Sequence, residues 1–132
     1  MSLQTLHPPG WKPAKGYANG MAATGRMVFT GGLVGWNADC EFESDDFVDQ
    51  VALTLRNIVA VLAEAGAGPE HLVRLTWYIT SKQEYLADLK RLGAVYKEII
   101  GRHYPAMAVV QVTALMEDRA KVEIEATAVI PE

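Results

Sequence analysis

The sequence predicts an α+β domain in the order β-β-α-β-α-β-β, a mixed sheet with two helices packed on one face. Three observations carry that prediction. Phe47, Val51, Leu55, Ile58 and Leu62 recur at three- and four-residue steps, which gives a helix one apolar face. Residues 72–80, residues 106–115 and the run from Val122 onward alternate in the two-residue period of half-buried strands. Each helical stretch also stands between two strand stretches, as in a right-handed crossover.

Residues 1–16 read as an irregular N-terminal arm, because Pro8, Pro9, Gly10 and Pro13 break helix and central strand alike. Trp11 is expected to anchor this arm to the body. Strands follow at 17–23 and 26–34, joined by a tight hairpin turn at Thr24-Gly25. Gly31-Gly32 inside the second implies a bulge or a close backbone approach. The first helix starts at Ser44-Asp45-Asp46, which supply a cap and negative charge at the positive end of the helix dipole. Gly66 stops it.

In the strand at 72–80, Val73, Leu75, Trp77 and Ile79 share one face; Arg74, Thr76, Tyr78 and Thr80 share the other. Ser81-Lys82-Gln83-Glu84 is a capping box opening a second helix. Leu86, Leu89, Val95, Tyr96 and Ile99 form its apolar side, and Gly101 ends it. His103 is placed to favour the helix C-terminus. Two strands close the chain, with a turn at Glu117-Asp118-Arg119 between them. With both helices on one face, the other is uncovered. Met107, Val109 and Tyr78 are assigned to that open face, and self-association is its expected cover.

The 132 residues suit one domain spanning 1–132, long enough to bury roughly two-thirds of its unfolded surface. A net charge of −4 argues against a sequence-independent nucleic-acid binder. One cysteine, Cys40, allows no intrachain disulfide, and its acidic neighbours disfavour a reactive thiolate. No run reaches the ~18 apolar residues of a membrane span, so the cytoplasm is the expected location. His7, His71 and His103 lack metal-ligand spacing, and no phosphate loop or nucleophile elbow is present. No metal and no cofactor are expected.

Glu123 is the candidate catalytic residue. It shares a strand face with Glu125, opposite the core, on a strand expected to be central. Buried at a subunit seam, it would orient a water or bind a polar ligand. A structural ion pair with Lys121, Arg74 or Arg119 is the alternative.

Several segments together resemble a known family: Gly16-Tyr17-Ala18-Asn19-Gly20, Val28-Phe29-Thr30-Gly31-Gly32, Leu53 with Asn57-Ile58, Tyr104-Pro105-Ala106, and Val122-Glu123-Ile124-Glu125-Ala126 with Ala128. They look like the Rid (reactive intermediate deaminase) family, also called YjgF or L-PSP endoribonuclease. The resemblance implies a chorismate-mutase-like fold and a homotrimer with ligand clefts at the subunit interfaces. It implies hydrolysis of enamine and imine intermediates, with Glu123 beside the water and Tyr17 and Gly31 lining the cleft. An arginine after the Pro-Ala pair binds the substrate carboxylate in such proteins; here that residue is Met107, which offers no charge and no fork. Gly93 likewise stands where asparagine is frequent. The expected pocket is therefore more apolar, with Met107 and Val109 at its base and Trp36 as an aromatic wall. Relatives lacking the arginine include aminomuconate deaminases. A small-molecule-binding or regulatory trimer and an endoribonuclease are the other readings.

Overall fold

The computed structural model describes residues 3–132. Its strands are β1 (Gln4–Leu6), β2 (Gly20–Ala22), β3 (Gly25–Phe29), β4 (Leu33–Val34), β5 (Leu72–Ile79), β6 (Ala106–Gln111) and β7 (Val122–Pro131). Its helices are α1 (Phe47–Glu64), α2 (Lys82–Ala87) and α3 (Leu89–Ile99), with a single 3-10 turn at Pro69–His71. The main sheet runs β3-β7-β5-β6, with β4 also on β7, and a separate two-stranded sheet joins β1 to β2. β5 and β6 are parallel; the other pairings are antiparallel. No helix among the described residues is long and apolar enough to cross a membrane.

α1 forms where its apolar period places it. Val51, Leu55, Ile58 and Leu62 are fully buried, each worth roughly 1.5–3 kcal/mol of transfer free energy. Asp46 caps the start, accepting from the Asp49 backbone N–H at 2.9 Å. Gly66, at φ +77°, closes the end: its N–H reaches Ala63 O and the Ala67 N–H reaches Leu62 O, both at 3.0 Å. Arg26 on β3 adds a cation there, donating to Ala65 O at 3.0 Å.

Two polar residues of α1 tie the helix to what surrounds the sheet. The buried Gln50 side chain donates to Ser44 O and Arg119 O and accepts from Lys121 N, so the entry to β7 is pinned to the helix start. Asn57 Nδ2 donates to Val34 O and Trp36 O, each at 3.0 Å, and fixes the exit of β4.

Several expectations are corrected. The arm read as irregular over 1–16 contains β1, which gives β2 its partner. Residues 17–23 supply only the three-residue β2, and no hairpin forms at Thr24-Gly25, because β2 pairs with β1 while β3 pairs with β7. The strand at 26–34 is interrupted at residues 30–32. Between Phe29↔Thr127 and Leu33↔Ile124 the first strand advances four residues against three on β7, so one extra residue bulges at the two glycines. At the start of β5 a register shift between Leu72 and Arg74 puts Leu72, not Val73, fully into the core.

The second helix is two helices. Asp88 adopts φ −147° and ψ 66° between them and caps α3 by accepting from Arg91 N at 3.2 Å. Leu86 and Leu89 flank this break and are exposed, whereas Leu92 and Tyr96 take the buried face. The His103 ring reaches Leu72 O at 2.7 Å and does not cap α3.

The two last strands are not neighbours. β5 lies between β6 and β7. Their orientation differs from expectation as well. Met107 pairs with Leu75 and Val109 with Trp77 in parallel register, so both face the helix-covered core and pack against it. Alternation shows which residues share a face; only the strand partner fixes which face is covered. The open face instead carries Thr76, Tyr78, Ala108, Val110, Glu123 and Glu125, with Phe29 and Met27 exposed on β3.

Candidate functional site

A cavity of about 270 Å³ opens on the helix side of the sheet. Met107 is part of its wall, at the start of β6, with Trp77 from β5 beside it. Tyr85 comes from α2; Leu89, Leu92, Gly93 and Tyr96 come from α3; Tyr104 comes from the approach to β6. Lys15 and Gly16 close one side. They are brought there by the chain two residues on, where Ala18 N–H donates to Pro105 O at 3.0 Å and Ala18 bridges to Ala106.

The wall is aromatic and ordered. Tyr96 and Tyr104 stack with centroids 5.3 Å apart and planes 12° apart. Trp77 meets Tyr85 edge to face at 6.2 Å. The Tyr96 hydroxyl donates to His103 O at 2.7 Å. Burial pushes the Tyr96 phenol up, with a smaller push from Tyr104, and burial pushes the Tyr85 phenol up as well. Both hydroxyls therefore stay protonated at neutral pH. The buried indole N–H of Trp77 has no acceptor among the described residues, a group that costs roughly 1–3 kcal/mol to leave unmet.

Glu123 sits elsewhere. It stands on β7 opposite Tyr78 and Val34, on the open face. A Cβ at Gly32 would collide with its carboxylate, so the glycine bulge and the glutamate occupy adjoining space. Tyr78 Oη donates to Glu125 Oε1 at 2.8 Å, and that hydrogen bond holds the Tyr78 phenol above its usual range, with Glu123 adding a smaller push. Two of the three cations that could pair with Glu123 are engaged elsewhere: Lys121 pairs with Glu84 at 2.6 Å and Arg119 with Asp45 at 3.0 Å.

The candidate residues thus fall in separate places within one chain. Met107 lines the cavity. Val109 packs against the core beside it. Tyr17 is exposed and faces a different depression, lined also by Leu6, His7 and Pro13. Gly31 is exposed in the bulge near the Glu123 side. Trp36 leans on Phe42 with centroids 5.7 Å apart. Met107 and Glu123 point to opposite faces of one sheet. Sequence reasoning missed Lys15, Tyr85, Leu92 and Tyr104 as cavity residues. Leu89, Leu92 and Tyr96 stand at i, i+3 and i+7, and that helical face was the available signal for the part of the wall that α3 supplies. Among the described residues no cluster of three or more His, Cys, Asp or Glu could hold a metal.

Comparison with known proteins fits this architecture. The family described as endoribonuclease L-PSP matches residues 8–130. The chain is 35% identical over 108 residues to the "Putative reactive intermediate deaminase TdcF" of Escherichia coli, covering 80% of each protein. The crystal structure of the Rid-family protein YyfB from Yersinia pestis superposes with a TM-score of 0.87 at 29% identity, over 98% of this chain and all of that one. E. coli TdcF, solved with bound serine, superposes at 0.68 with 33% identity over 98% of both chains. The family match over nearly the whole chain, the identity to TdcF and the superposition on YyfB agree: the chain belongs to the Rid family, also called YjgF or endoribonuclease L-PSP, and has its chorismate-mutase-like fold.

Proposed function

We propose that this chain works as a homotrimer in the cytoplasm, and that its functional cleft is completed between subunits for a small metabolite. The reaction is hydrolytic deamination of an enamine, imine or aminomuconate-type compound, with Glu123 positioning the attacking water. The observation that carries this reading is the opposition of Met107 and Glu123 across one sheet. A site that uses both needs a second copy to present its open face near the cavity of the first. The exposed Phe29 and Met27, together with Val110, supply apolar surface for such a seam. A serine bound to TdcF supports a ligand of amino-acid size.

Standard 2-aminoacrylate chemistry is not the proposal. Met107 lacks the charge and the bidentate geometry that would hold a small carboxylate. Purified protein offered aminomuconate-type compounds is expected to release ammonia faster than buffer, and Glu123→Ala is expected to lose at least about a hundredfold, the scale of a general acid–base contribution. 2-Aminoacrylate generated in situ is expected to be hydrolysed only after Met107→Arg. Saturable ligand binding with no ammonia release would instead make the protein a non-catalytic binder.

A further inference from the structure

We propose that Lys15 is the anion-binding residue of the aromatic cavity, and that it takes one carboxylate of a ligand whose flat or branched remainder lies against the aromatic wall. This rests on the reading of that cavity as the metabolite cleft. Of the residues forming its wall, Lys15 alone carries a formal charge. No hydrogen bond or ion pair engages its ammonium among the described residues, in contrast to Arg91 on α3, which is committed to Asp46 and Asp49 at 2.8 and 2.6 Å. The backbone bond from Ala18 to Pro105 ties the Lys15 segment to the strand start that carries Met107. Lys15 thus puts a cation elsewhere on the wall of the cavity that Met107 lines.

The rest of the wall sets the other half of the ligand. Stacked Tyr96 and Tyr104, edge-on Trp77 and Tyr85, and Met107 offer a largely apolar, aromatic slot. A volume of about 270 Å³ suits a single-ring or branched-chain compound. A lone ammonium is a point charge, so it holds one carboxylate without the planar selectivity of arginine.

The test uses the full chain and isothermal titration with phenylacetate, phenylacetamide and acetate. Phenylacetate is expected to bind roughly fivefold more tightly than the amide, a partly exposed ion pair's worth, and to lose that margin in high salt. Lys15→Gln is expected to erase the margin while leaving phenylacetamide binding intact, and Lys15→Arg to keep it. Gly93→Trp fills the cavity from a site where a Cβ meets nothing within 4 Å, and it is expected to abolish binding of both aromatic probes. If the carboxylate preference survives Lys15→Gln while Gly93→Trp still blocks binding, the Lys15 assignment is overturned and the cleft stands. If neither aromatic probe binds, or Gly93→Trp leaves binding unchanged, the cleft reading falls and the assignment falls with it.

Discussion

At Gly32, a side chain and a carboxylate compete for one space. The backbone there lies outside the left-handed region, so alanine meets no conformational barrier. Its Cβ would nevertheless run into the Glu123 carboxylate, the movable end of a flexible side chain. Gly32→Ala is therefore expected to leave stability within about 1 kcal/mol of the parent, because only Glu123 has to shift. It is expected to lower ammonia release at least tenfold, because that shift moves the group proposed to hold water. Parallel thermal melts and initial rates separate the two effects; unchanged rates beside an inactive Glu123→Ala would mean that Gly32 does not position the glutamate. The sequence signalled a close approach at Gly31-Gly32 from two glycines in a strand pattern. It did not signal what approaches, since the carboxylate lies more than ninety positions along the chain and only the β4–β7 register brings it there.

The elements differ in how openly the sequence declares them. α1 is declared completely, because its apolar period, its Asp46 cap and its Gly66 stop all agree. The break at Asp88 is hidden, because Leu86, Leu89 and Leu92 continue a helical spacing through it while Asp88 turns and caps. Alternation marks β6 as a strand but cannot name a strand's neighbour, so the insertion of β5 between β6 and β7 is not legible in the sequence. The backbone N–H of Asp49 holds the Asp46 carboxyl below its ordinary range, and Arg91 from α3 reinforces it. Its contribution is thus present above the unfolded carboxylate value near pH 4 and is lost as pH falls through the depressed native value. Asp46→Ala is expected to cost about 1 kcal/mol at pH 7. Urea titrations should show the gap to the parent narrowing in acid; a gap that stays constant with pH would remove the charged carboxylate from the explanation.

For the whole molecule, the decisive feature is that one sheet serves two faces. The helix-covered face buries Leu75, Trp77 and Ile124 and opens the aromatic cavity at the start of β6. The open face carries Glu123 among exposed apolar side chains. Family membership could be read from short segments spread over most of the chain, whereas the cavity could not. Its wall is gathered from residues 15–16, β5, α2, α3, β6 and the Tyr104 segment, and local spacing marks only the α3 share of it. Because the sheet separates Met107 from Glu123, a site that uses both requires assembly, and the mass of the protein in solution reports on it. Sedimentation equilibrium at micromolar concentration is expected to give three times the 14.4 kDa chain mass. A species at the chain mass itself would contradict a site built between subunits.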